Sequence, residues 1–155
     1  MRSAAFLKAA LAFLALPGMV VFAVPLLVLT PDDPPAFALW LAAPFLVAGS
    51  FLLLWCVRDF YVEGQATLAP WSPPQHLVVS GLYRVSRNPM YVAVILILSG
   101  WAVGFRSRTL TIYAVVVGTA FHLRVVFGEE PWLARRYGEE WVRYRARVPR
   151  WLGWR

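Results

Sequence analysis

The chain has 155 residues, 60% of them hydrophobic and 15% charged, with a formal net charge of +7 and a mean hydropathy of +0.61. A soluble domain is nearer half apolar and a quarter charged, so these totals argue against a soluble protein and for a single-domain integral membrane protein. The positive charge is arginine almost throughout, Lys8 being the one lysine; with no basic run clear of the apolar segments, the partners expected are membrane lipids, not nucleic acid.

In chain order, residues 9–29 are uncharged and long enough to cross a bilayer as a helix. A signal peptide is the rival reading, but the apolar run is long for one and no clear small-x-small cleavage site follows. Pro17 and Pro25 should kink this helix. TPDDPP (residues 30–35) reads as a turn, and residues 36–57 form a second uncharged span with Pro44 inside it. The single cysteine, Cys56, lies in that run and excludes an internal disulfide or a multi-cysteine metal site. SPPQ (residues 72–75) cannot be regular helix, because adjacent prolines remove donors and restrict the preceding residue. It leads into QHLVVSGLYRVSRNPMY (residues 75–91), a dense polar and aromatic stretch between two apolar halves. Asn88-Pro89 suits a helix start, with Asn as cap and Pro at the first helical position. Residues 89–105 then form a third span whose Gly100 and Gly104 allow another helix to approach closely, inside the bundle before any homodimer face. After the turn FRSRT, a fourth span covers residues 109–127, with Ala114 and Gly118 again at small-xxx-small spacing.

Four spans with short connections give two hairpins with both termini on one side. Arg84, Arg87 and the seven arginines from Arg135 onward fall on that side, which the positive-inside rule assigns to the cytoplasm. Arg106 and Arg108 run against the rule. His122 and Arg124 end the fourth span, where ionisable groups face a protein interior or a watery cavity, or, for Arg124, snorkel to headgroups. Glu129-Glu130-Pro131 reads as a helix start. Leu133, Tyr137, Trp141, Tyr144 and Val148 follow as one apolar stripe flanked by arginines, the pattern of a basic amphipathic helix on a membrane surface. Gly138 should bend it, and Glu139 and Glu140 read as solvated charges paired with Arg143.

No GxGxxG, phosphate loop, HExxH or CxxC occurs, and His76 and His122 are too few for a histidine metal site, so no metal is expected. What does stand out is GLYRVSRNPMYVA followed by EEPWLARRYGEEWVRYRARVPRWL. The pair resembles the isoprenylcysteine carboxyl methyltransferase and phospholipid methyltransferase superfamily, with its G-x-Y-x-x-x-R-[HN]-P-x-Y box, EE pair and [FY]-G-x-x-[YW]-x-x-Y-x-x-x-V-P ending. The matching positions are Gly81, Tyr83, Arg87, Asn88, Pro89 and Tyr91, then Glu129 and Glu130, then Tyr137, Gly138, Trp141, Tyr144, Val148 and Pro149. The resemblance implies an all-α membrane fold of about four spans, in which a loop over residues 70–91 and a C-terminal cap over residues 129–155 enclose a cofactor pocket. It also implies S-adenosylmethionine as methyl donor. The cofactor contacts it carries over are Gln75, His76, Leu77, Val78, Tyr83, Asn88, Pro89, Met90, Tyr91 and Glu129, with Arg124 and Glu130 as catalytic candidates. A buried glutamate suits the donor's ammonium through charge-assisted hydrogen bonds, and tyrosine faces suit a sulfonium or adenine.

Two departures from the pattern stand in the sequence. Asn88 occupies a position where many members have His. Val125 occupies the position of the arginine that resembling enzymes place before the EE pair, with Arg124 as its neighbour, and one residue turns a side chain by about 100° on a helix. The acceptor expected is lipophilic and enters from the bilayer, the carboxylate of an isoprenylcysteine-like substrate being the first candidate and a phospholipid amine the second. A membrane reductase using NADPH and a non-enzymatic lipid-binding protein are the readings from other classes. The oligomeric state stays open.

Overall fold

A computed structural model describes residues 14–28, 36–62 and 77–152. A π-helical stretch, Leu14–Ala23, runs into α1 (Val24–Val28); α2 spans Ala36–Val62. A 3-10 turn at Gly81–Arg84 precedes α3 (Pro89–Gly104) and α4 (Arg108–Arg124). A π turn, Val125–Glu129, carries α4 without a break into α5 (Glu130–Tyr137), and α6 (Glu139–Arg147) follows. The regular elements among the described residues are all helical, with no strand, as the composition and spans led us to expect.

The tightest contact is between α2 and α3, and small residues make it. A Cβ on Gly104 would stand 2.8 Å from Ala42 Cβ, one on Gly100 3.0 Å from Phe45 Cβ, and one on Gly49 3.0 Å from the Ala93 carbonyl oxygen. In a bilayer there is no water to drive helices together, so close backbone approach and packing supply the attraction. The GxxxG of α3 is thus spent inside the chain, against α2. Val21, Leu53, Ala93, Val94, Ile97 and Leu98 form the buried core, with Tyr113 and Phe121 of α4 packed on it. The Tyr113 hydroxyl donates to the Val20 carbonyl at 3.1 Å and ties the first segment to α4.

Two helices are long and apolar enough to cross a membrane, Ala38–Asp59 and the continuous Arg108–Tyr137; Gly18–Leu27 and Pro89–Gly104 are apolar but shorter. A crossing needs roughly 20 residues, so two of the four expected spans reach that length among the described residues. α3 is cut to 16 residues by Pro89 at its start and the turn after Gly104 at its end. Large apolar side chains such as Trp40, Val47, Leu54, Ile112 and Val115 are exposed on α2 and α4, an outward apolar surface far beyond what a water-soluble monomer carries. The TPDDPP turn lies outside the described residues.

The expected helix start at Glu129-Glu130-Pro131 is not one. Pro131 lacks an N–H and crowds the carbonyl four residues back. The helix answers by widening one turn and continuing: the Glu130 N–H bonds the Val125 carbonyl, five residues earlier. Gly138 does break the tail, with φ +52° separating α5 from α6, a conformation that favours glycine.

Candidate functional site

The loop before α3 is shaped by two constraints. Gly81 has φ +54°, and a Cβ there would lie 2.2 Å from Oδ2 of the buried Asp59 at the end of α2; only glycine meets both demands. The 3-10 turn that follows buries Tyr83, whose carbonyl accepts the Tyr144 hydroxyl of α6 at 2.7 Å. Burial raises both phenols well above their ordinary pKa, outweighing the opposing Arg87 charge beside Tyr144, so both act as neutral hydrogen-bonding groups.

Trp141, Tyr144 and Val148 form a second buried cluster onto which Leu77, Leu133 and Tyr137 pack. The apolar stripe of the tail is therefore real, but it faces the loop instead of lying on a bilayer. The loop binds the tail backbone as well. The Arg87 N–H donates to the Pro149 carbonyl at 2.9 Å, and the Ser86 hydroxyl and Asn88 Nδ2 both donate to the Arg150 carbonyl, at 3.4 and 3.0 Å. Asn88 stands at the start of α3, but its side chain makes no capping bond, because it is turned to the tail. No ion pair joins Glu139 or Glu140 to Arg143 among the described residues.

The two adjacent glutamates point into different settings. Glu130 is enclosed: Arg87 Nη1 donates to Oε1 at 2.8 Å, and Arg150 Nε and Nη2 donate to Oε1 and Oε2 at 2.7 and 2.9 Å. Arg87 also sits 5.5 Å over the Trp141 ring, a cation–π geometry. The bond to Glu130 is the main cause of the raised Arg150 pKa. Glu129 uses only Oε1, accepting the Tyr91 hydroxyl at 2.5 Å and Arg124 Nε at 2.7 Å. Its Oε2 takes no partner among the described residues. The Tyr91 ring stacks on Phe121 of α4, centroids 4.2 Å apart at 22°.

The π turn explains how Arg124 reaches Glu129. Residues five apart point well away from each other on an α-helix, but the i→i+5 pattern of a π turn brings them over one another. The arginine standing one position early is thereby returned to the glutamate by one widened turn.

Beside this cluster, two adjoining apolar cavities of about 410 and 600 Å³, open to the surface, lie between α3 and α4 and share Ile95, Ser99, Gly118 and His122. The first also has Tyr91, Phe121 and Trp151 in its wall. His122 stacks with Trp151, centroids 6.1 Å apart at 28°.

Of the residues singled out in the sequence, Tyr91, Arg124 and Glu129 meet in one cluster. Tyr83, Asn88 and Glu130 belong to the neighbouring loop–tail contact. Val78 is buried, and the backbone of residues 77–79 makes no hydrogen bond to the chain among the described residues. Pro89 is buried at the start of α3, Leu77 packs in the tail cluster and Met90 on the helical core. Gln75 and His76 lie outside the described residues. Ser86, Phe121, Arg150 and Trp151 were not singled out; Arg150 and Trp151 follow directly on the VP ending, the one sequence signal for them. Among the described residues no cluster of His, Cys, Asp or Glu could hold a metal.

The donor set suits an adenosyl sulfonium cofactor. Glu129 keeps an unpaired carboxylate oxygen for an ammonium, and the residues 77–79 keep free backbone groups for polar edges. In comparison with known proteins, the family model described as phospholipid methyltransferase matches residues 37–140, two thirds of the chain. No curated protein and no solved structure matches.

Proposed function

The chain belongs to the phospholipid methyltransferase family, and from that premise we propose that it transfers a methyl group from S-adenosylmethionine to a lipophilic acceptor drawn from the bilayer. The observation that carries the reading is the half-used Glu129: a carboxylate fixed by Tyr91 and Arg124 through one oxygen, with the other left open, beside an apolar cavity. When bound, the cofactor supplies an electrophilic methyl group on a sulfonium. The chain's part is to hold and align. Glu129 takes the cofactor ammonium, Tyr91 fixes Glu129 and offers a ring face, and the backbone of residues 77–79 reads polar edges. Alignment in a site without water can contribute several kcal/mol, of the roughly 7–11 that perfect positioning reaches.

Glu130, Arg87 and Arg150 hold the tail over the loop and so position Glu129 without acting on substrate. For the acceptor, a phospholipid amine gains from the family's description. The isoprenylcysteine-like carboxylate relies on Arg124, whose Nε is already given to Glu129. We read the protein as multi-pass with both termini cytoplasmic, which would set the site at the inner face of the membrane.

Calorimetry on the detergent-purified protein tests this, with S-adenosylmethionine, S-adenosylhomocysteine and NADPH as titrants. Saturable binding of both adenosyl ligands, weakened roughly 30-fold in Glu129→Gln, is the expected result. Binding of NADPH alone would move the chain to the reductases, and binding of none would leave a lipid-surface protein.

A further inference from the structure

Resting on that methyltransferase reading, we propose that His122 is a catalytic residue: the base that takes the proton from an amine acceptor whose chain lies in the groove between α3 and α4. The groove is apolar along its length and leads to Tyr91 and Trp151 at one end, which suits one acyl chain with its headgroup beside the Glu129 cluster. The hydroxyls along it are folded back onto their own backbone. Ser99 and Thr119 donate to carbonyls four residues back in their own helices, at 2.8 and 2.9 Å, and Thr111 does the same at 3.0 Å. An alcohol oxygen is also too weakly basic to take a proton from an ammonium, so among these lining residues His122 is the one base.

Among the described residues, the charged and titratable groups around the headgroup end are Tyr91 on α3, Arg124 on α4, Glu129 in the π turn, Arg150 beside Trp151, and His122. Tyr91, Arg124 and Arg150 are engaged as donors, and the open oxygen of Glu129 is the one assigned above to the cofactor ammonium, which leaves His122. Tyr91 and Arg124 donate to Glu129, and Arg150 donates to Glu130. His122 lines both cavities and its imidazole makes no hydrogen bond among the described residues, while its stack with Trp151 orients the ring. An imidazole is the side chain suited to accept a proton near neutral pH. An ammonium cannot be methylated, whereas a carboxylate acceptor needs no base. In the step, the acceptor ammonium gives one proton to His122. The lone pair so freed forms the N–CH3 bond as the C–S bond of the sulfonium donor breaks, leaving its electron pair on the thioether sulfur. His122 then passes the proton to water.

The test uses the full chain in micelles, with a primary-amine phospholipid, its fully methylated counterpart and a carboxylate-headed lipid as probes. His76 and His122 are the two histidines, so in ring NMR of the wild type the signal that disappears in His122→Gln is that of His122. With S-adenosylhomocysteine bound, the ring titration should shift when the primary-amine lipid is added and stay put with the fully methylated one. His122→Gln should lower kcat with the amine lipid about 100-fold, the lower end for general bases. The donor KM should not change, and the lost rate should return as pH rises and the acceptor deprotonates in solution. A His122→Gln enzyme with the wild-type rate and pH profile overturns the assignment, as does a wild type that methylates the carboxylate lipid alone; either leaves the methyltransferase reading intact. A wild type that binds no adenosyl ligand overturns both.

Discussion

Glu129 and Glu130 are neighbours in sequence and opposites in structure. Glu130 has a side chain 11% exposed and spends both oxygens on two arginines, one of them 4% exposed and stacked on Trp141. Glu129 is 32% exposed, its arginine partner 62%, and one of its oxygens is open. A buried charge must be fully paired or it destabilises the fold. A charge that keeps an unpaired oxygen at a cavity edge is tolerated because water, or a ligand, completes it. The two carboxylates thus divide one motif between holding the tail and meeting a ligand.

The largest expected effect tests the closed half. Glu130→Gln breaks the ion pair of the buried Arg87 with Glu130 and should cost about 3 kcal/mol of stability, the low end for a broken buried pair. Thermal unfolding in detergent measures it; a melting temperature equal to wild type would mean that water already solvates Arg87. Glu129→Gln should show the crossed pattern. Its stability should stay within about 1 kcal/mol, while S-adenosylmethionine affinity falls by about 2 kcal/mol, the range of a hydrogen bond to a charged group, or roughly 30-fold. If both variants lose stability equally and affinity equally, the division between the two glutamates is wrong. Arg150→Ala keeps the Arg87 pair but removes two bonds from Glu130, and should cost about 1.5 kcal/mol of stability by the same reasoning, read by the same melt.

Much of this was legible in the sequence because it depends on local spacing. The glycines of α3 and the tail stripe from Leu133 to Val148 are periodic features, and periodicity survives whatever the partner turns out to be. The meeting of the loop before α3 with the EE-containing tail was implied by the resemblance of the two motifs to the methyltransferase superfamily. The rest depended on what lies across space. Asn88 in front of Pro89 looks like a cap, yet the carbonyl of Arg150, 62 residues away, competes for its side chain. The stripe looked like a membrane-surface face until Leu77 and the loop covered it. Pro131 after two glutamates looks like a helix start, and the structure instead widens the preceding turn and continues. That choice brings Arg124 to Glu129, and no count of residues on an ideal helix would find it. His122 and Trp151 were separate aromatic residues in the sequence; only the packing of the tail end over α4 makes them a pair.

The smallest predicted effect asks how much of the open half is preorganised. Tyr91→Phe removes the hydroxyl that donates to Glu129 but keeps the ring on Phe121. Glu129 still holds Arg124 and lies at a partly exposed site, so no buried group is orphaned and stability should change by less than about 1 kcal/mol. Cofactor affinity should fall by about 1 kcal/mol, roughly five-fold, because a carboxylate held from one side only must be ordered when the ligand arrives. Tyr91→Ala also removes the ring and should lower affinity further; calorimetry on the pair separates hydroxyl from ring. Equal affinities for Tyr91→Phe and wild type would mean that Arg124 alone orients Glu129, and the preorganising role would then belong to the π turn that brings the two together.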